Sequence, residues 1–220
     1  MKKLRITVLS ENTVRKKGLL AEHGFALWVE IGERKILFDT GAGKVIGNNA
    51  VVLGFDLAEA PIVVLSHGHY DHTGGLAEVC DRATGMLTVY AHPAAFMPKY
   101  SRHPDGMHDI AMSVAAKKAV NQRAEIKLNK QPVEIHSGFY LSGEIPRETD
   151  FEDTGGAFFL DAEGQVPDLL IDDQSAFVDT PSGLVVILGC AHSGVVNTLR
   201  RIRRLTGDRP VRAVIGGFEV

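Results

Sequence analysis

A chain of 220 residues with a formal net charge of −3 and 45% hydrophobic residues is long enough for one domain or two fused half-domains around a real core. The acidic balance argues against nucleic acid as an obligatory partner, because a phosphate backbone is met by a basic surface. Two cysteines, Cys80 and Cys190, make no disulfide framework, no apolar run approaches a membrane span, and Leu4, Ile6 and Val8 alternate where a signal peptide would be unbroken, so the chain reads as soluble and cytoplasmic.

In chain order, a strand near Leu4 to Leu9 is followed by a hairpin, Phe25 to Ile31 and Lys35 to Phe38, turning at Gly32-Glu33-Arg34 and ending in Asp39-Thr40-Gly41. A helix around Val45 to Leu53 leads to Pro61 to Leu65, a short apolar run that reads as a buried strand. A helix opens at Leu76 with Thr73 as its N-cap, and Leu87 to Ala91 forms another strand ending in His92-Pro93. From Ala94 to about Lys130 the chain is polar, with a helix within Met107 to Val120 after a loop bearing His103 and His108, which receive no role. Further strands are expected at Glu125 to Leu128, Val133 to His136, Phe139 to Ser142, Ala157 to Leu160, Ser175 to Asp179, Leu184 to Leu188 and Val211 to Ile215. Between the last two, Val196, Leu199, Ile202 and Leu205 recur at helical spacing, which places Arg200, Arg201, Arg203 and Arg204 on a solvated face. The pattern predicts one domain of two similar halves, about 1–93 and 124–220, with an excursion over 94–123.

The run from Ser66 to Gly75, SHGHYDHTGG, holds three histidines and an aspartate within six consecutive positions. His67 and His69 are two apart in extended chain, so their rings can share one cation, while Asp71 and His72 follow the turn and can face a second position. Imidazole and carboxylate suit zinc, iron or manganese, and an open coordination position lowers a bound water's pKa to about 7, giving a hydroxide nucleophile. In GCAHSG, His192 also follows an apolar strand and small residues and opens a helix, a layout suited to completing the first ion's ligands.

Lesser candidates are Asp39, which can support a ligand histidine or simply turn the chain, and Asp172 and Asp173, which offer a carboxylate or a loop cap. His23 and His92 can line a pocket, Glu144 and Arg147 can face substrate or pair structurally, with Arg147's fork suited to phosphate, and Cys190 reads as a small buried hydrophobe.

HGHYDH, with the phrases LLAEHGFALWVE, ILFDTGAG, VVLSHGHYDHTGGL, VYAHPAAF, SGEIPR, DDQSAFV, VVILGCAHSGVVN and AVIGGF, resembles the metallo-β-lactamase superfamily over nearly the whole chain. The phrases are similar to those of its subgroup that includes the dihydropterin ribofuranosylaminobenzene phosphate synthases of methanopterin biosynthesis and many metal-dependent hydrolases. The resemblance implies an α/β (α+β) four-layer αβ/βα sandwich with one or two divalent ions, zinc foremost and manganese or iron admitted. His67, His69 and His192 would hold one ion and Asp71 and His72 the other. The family's closing GGFH carries a further histidine ligand; here Glu219 stands in its place, an oxygen donor that favours harder ions. The family's terminal helix is not in this sequence, which leads to an expectation of self-association.

The expected function is a metal-dependent hydrolase acting on an ester, with phosphate esters first. Asp71 would orient the nucleophile or accept its proton, and Arg147, His23 and His92 would be on the substrate side. The alternatives are a pterin-handling transferase and a metal-poor binding or scaffold protein.

Overall fold

A computed structural model describes residues 3–217. In chain order the elements are β1 (Leu4–Ser10), β2 (Ala26–Ile31), β3 (Arg34–Phe38), α1 (Ile46–Leu53), β4 (Ile62–Val64), α2 (Tyr70–Thr73), α3 (Leu76–Arg82) and β5 (Leu87–Ala91). They continue with β6 (Tyr100–His103), β7 (Gly106–Asp109), α4 (Val114–Arg123), β8 (Ala124–Leu128), β9 (Val133–His136), β10 (Phe139–Leu141) and β11 (Phe158–Phe159). The last are β12 (Ala176–Thr180), β13 (Gly183–Leu188), α5 (Val195–Thr206) and β14 (Val211–Gly216), and two short 3-10 turns lie at Leu57–Glu59 and Pro93–Phe96.

Two compact units form. The first is the chain through Ala91 together with Ala111–Leu128, and the second is His92–Ile110 with the chain from Asn129 onward. Among the described residues no helix is long and apolar enough to cross a membrane.

The first unit is built on a six-stranded sheet in the order β1-β2-β3-β4-β5-β8. β1, β2 and β3 pair antiparallel, and β3, β4, β5 and β8 pair parallel in turn. Trp28, Ile36, Leu37, Phe38, Val63, Val64 and Val89 are fully buried, as expected of strands covered on both faces. β8, which the sequence pattern groups with the second half, pairs instead with β5, in register from Leu87↔Ala124 to Ala91↔Leu128. The helix expected within Met107 to Val120 begins only at Val114, where Ser113 Oγ accepts the Ala116 N–H as its N-cap. Residues 106–109 are instead β7, hairpinned to β6, so His103 and His108 lie on strands.

The second unit holds a five-stranded sheet, β14-β13-β12-β10-β9, parallel only between β13 and β14, and an antiparallel three-stranded sheet, β11-β6-β7. Every residue of β13 is buried. α5 seats Ile202, Val195 and Leu199 against Phe177, Leu184, Val186 and Leu188, with Arg200, Arg203 and Arg204 exposed as expected. Arg201 is half-buried, and Val196 and Leu205, expected on the apolar face, are exposed because the helix's buried stripe runs through Val195, Leu199 and Ile202.

Candidate metal centre

The first unit's sheet delivers four ligand-type side chains to one corner. β4 ends where Leu65 N–H donates to Tyr90 O at 2.9 Å, and the chain then leaves the sheet through Ser66, His67 and Gly68. A single helical turn, α2, carries Asp71 and His72. Thr73 does not cap the next helix: it closes α2, its hydroxyl donating to His69 O at 2.9 Å, and α3 starts after Gly75 without a side-chain cap. That turn is laced to the loop after β3 and to the residue before β2: Thr40 N–H donates to His72 O at 2.7 Å, Gly74 N–H to Gly41 O at 2.9 Å and Phe25 N–H to Asp71 O at 3.1 Å. The approach is close enough that a Cβ on Gly74 would lie 2.3 Å from Ala42 O, which only glycine avoids.

His67, His69, Asp71 and His72 are all buried, with relative exposures of 0%, 5%, 7% and 1%. The His67 ring centroid is 4.5 Å from that of His69 and 4.2 Å from that of His72, and His72 Nε2 is 3.3 Å from Asp71 Oδ2. Burial pushes the Asp71 carboxyl up, but the rings of His72, His69 and His23 outweigh it and hold the group below the usual carboxylate range. His23, 60% exposed at its side chain, brings Nε2 to 3.5 Å from Asp71 Oδ2.

Asp39 fixes the imidazoles. Fully buried at a positive φ of 57°, it accepts Ser66 N–H on Oδ1 and Ser66 Oγ–H on Oδ2, both at 2.7 Å, and the His72 Nδ1–H on Oδ2 at 2.7 Å. The Ser66 hydroxyl has one proton, and Asp39 takes it. Its oxygen therefore accepts from His67 Nδ1–H at 2.9 Å. One carboxylate, directly and through one serine, thus sets both rings in the tautomer whose Nε2 carries the coordinating lone pair. Ser66 had no assigned role in the sequence, although it opens the metal motif.

In the second unit, His192 follows β13 and Ala191, which has a positive φ of 54°. His192 is 4% exposed, its Nδ1–H donates to Thr154 O at 2.8 Å, and its ring meets Phe158 edge-on at 5.3 Å, again orienting Nε2 as the donor nitrogen. Burial pushes this ring down, but the Cys190 thiol, the Asp173 carboxylate and the Thr154 carbonyl carry it upward overall. Asp173 Oδ2 accepts the Ser193 N–H at 2.7 Å, and burial raises its carboxyl. Glu152, unremarked in the sequence, accepts the Val196 and Asn197 N–H groups at 2.8 and 3.0 Å and so covers the start of α5. A cavity of about 340 Å³ opens beside His192, between Phe151–Gly155 and Cys190–Val195.

Arg147, expected toward substrate, donates Nη1 to His192 O at 2.6 Å and Nη2 to Leu169 O at 2.8 Å, so its fork clasps two loops of its own unit. His92 is buried with Nε2 2.9 Å from Glu144 Oε1. Asp172 joins Asp168 around the buried ammonium of Lys99, each at 2.8 Å, an arrangement with no local sequence signal. Glu219 lies outside the described residues.

The donors of the first unit fit a divalent cation. A carboxylate held ionised among imidazoles whose tautomers are imposed from behind is a costly burial unless a positive charge meets it.

Comparison with known proteins agrees with this chemistry. The sequence model of the metallo-beta-lactamase superfamily matches residues 20–209. An uncharacterized protein of Methanocaldococcus jannaschii is 31% identical over 98% of this chain and 79% of its own length. The 7,8-dihydropterin-6-methyl-4-(beta-D-ribofuranosyl)-aminobenzene-5'-phosphate synthase of the same organism is 28% identical over 91% of this chain and 71% of its own. Among solved structures, a metal-dependent hydrolase of the beta-lactamase superfamily superposes with a TM-score of 0.79 at 32% identity, covering 98% of this chain and 77% of that one.

Proposed function

The chain belongs to the metallo-beta-lactamase superfamily and has its fold, and from that premise we propose that it is a metal-dependent hydrolase cleaving a phosphate ester. The observation that carries the reading is the buried His67, His69, Asp71 and His72 cluster with its tautomers set by Asp39. The resemblance of GCAHSG to the superfamily's pattern supports His192 as a further ligand, and zinc is the first candidate ion. When bound, the metal supplies Lewis-acid polarisation of the scissile group and lowers the pKa of water. Asp71, whose carboxyl the neighbouring imidazoles hold below the usual range, would orient the attacking water or accept its proton, with His23 Nε2 3.5 Å from its Oδ2 on the exposed side. The synthase among the relatives supports a second reading, a transferase acting on a phosphorylated pterin compound.

The deciding experiment compares the parent protein with His69→Ala for metal content and for turnover of nitrophenyl phosphate esters and of a reduced pterin phosphate. Loss of metal together with ester turnover is expected. Full metal content and activity in His69→Ala would overturn the assignment, and turnover confined to the pterin compound would select the transferase.

A further inference from the structure

Cys190, which residue type alone marks as a small buried hydrophobe, is only half-buried and lines the 340 Å³ cavity together with His192. β13, buried throughout, ends at Leu188, and Ala191 then takes its positive φ of 54° while its carbonyl accepts the Gly194 N–H at 2.7 Å. A residue with a β-carbon is strained in that region, so the surrounding loop imposes the turn. The turn draws together the residues on either side of Ala191: Cys190 Sγ lies within 4.8 Å of a ring nitrogen of His192.

The His192 ring carries its proton on Nδ1, donated to Thr154 O at 2.8 Å, so the hydrogen bond between thiol and ring runs from Cys190 S–H to Nε2. Sulfur and nitrogen thus face one another across a single proton. A divalent ion in the place of that proton would meet two donors of the kind zinc takes. Asp173, 1% exposed and acting on the same ring, has Oδ2 on the Ser193 N–H at 2.7 Å and, among the described residues, no hydrogen-bond partner on Oδ1. Arg147 also acts on this carboxylate but commits its terminal nitrogens to His192 O and Leu169 O. A buried carboxylate matched so incompletely favours a further positive charge at the neighbouring pair.

We propose that Cys190 is a metal ligand, its thiolate binding the same divalent ion as His192. The inference rests on the reading of His192 as a ligand and adds a sulfur to it. On binding, the S–H bond breaks, the proton passes to solvent, and the electron pair left on sulfur forms the bond to the metal; nothing is oxidised or reduced. The consequence is selectivity. Thiolate sulfur suits zinc, whereas manganese prefers oxygen donors, so Cys190 decides between two ions that imidazole and carboxylate alone would both admit.

Cobalt(II), which enters zinc sites and reports a thiolate ligand by a charge-transfer band in the near ultraviolet, tests this in the whole, reduced chain. The parent should show that band together with the visible bands of bound cobalt. Cys190→Ala should lose the near-ultraviolet band and bind cobalt roughly tenfold more weakly or worse, while Cys80→Ala, at a cysteine fully buried in the first unit, should keep it. Cys190→Asp, which offers oxygen for sulfur, should lower the preference for zinc over manganese by about tenfold. Should Cys190→Ala not fold, the parent and Cys80→Ala spectra still decide, because the chain has only these two cysteines. Visible cobalt bands without the near-ultraviolet band in the parent, or that band lost in Cys80→Ala and kept in Cys190→Ala, would overturn the thiolate ligand and leave the metal centre standing. No cobalt uptake at all would overturn both.

Discussion

Replacing Asp39 by asparagine removes a charge from behind the metal ligands while keeping the shape of the side chain. Asparagine also tolerates the positive φ of 57°, so backbone strain is not introduced with the change. Asp39 accepts three hydrogen bonds at 2.7 Å, one on Oδ1 from Ser66 N–H and two on Oδ2 from Ser66 Oγ–H and His72 Nδ1–H. In one orientation the new amide turns its NH₂ toward the serine hydroxyl and the imidazole; in the other it faces the Ser66 N–H. Unless an imidazole changes tautomer, either way at least one buried donor meets a donor, at a cost of about 1–3 kcal/mol of folding stability. The larger consequence is on the rings: His72 loses the partner that fixes its tautomer, and His67 loses it at one remove through Ser66. Metal affinity should fall by roughly 10–100-fold. Competition for zinc with a chromophoric chelator at pH 7 measures the affinity, and nitrogen chemical shifts of the imidazoles report the tautomers directly. Unchanged zinc affinity together with unchanged His67 and His72 tautomers would refute the relay.

The remaining predictions concern the framework of the two units. Lys99→Met leaves the buried Asp168 and Asp172 carboxylates without their cation and should destabilise the protein by about 3–5 kcal/mol in urea titration, whereas a loss below about 1 kcal/mol would contradict the burial of this triad. Gly24→Ala places a Cβ 2.6 Å from Asp71 O, displacing the backbone that Phe25 N–H holds; a lower melting temperature and weaker metal binding should appear together, and an unperturbed variant would count against the close approach. Because the folded-state pKa of Asp71 is depressed, its stabilising interactions are present above the unfolded value of about 3.9 and disappear as pH falls below it. Denaturation of metal-free protein between neutral and acidic pH should show this loss, and Asp71→Asn should flatten that part of the profile; identical profiles would exclude the contribution.

The metal motif was legible because its chemistry is local. His67, His69, Asp71 and His72 follow one short strand and share one corner, so strand geometry and the following turn suffice to gather them. The same holds for α5, whose 3.6-residue apolar recurrence separates Ile202 from the exposed arginines without knowledge of the partner sheet. By contrast, Asp39 acts on residues 27 and 33 positions away, and nothing in a DTG phrase distinguishes a turn aspartate from one that fixes two imidazoles. Lys99 meets Asp168 across 69 residues, and a lysine carries no mark in sequence that it will be buried. β8 reads as an ordinary strand, but only ladder pairing assigns it to β5 in the first sheet. Arg147 shows most plainly where sequence stops: residue type supplies a fork that matches phosphate and carbonyl oxygen alike, and long-range packing, by setting His192 O and Leu169 O before it, decides which it holds.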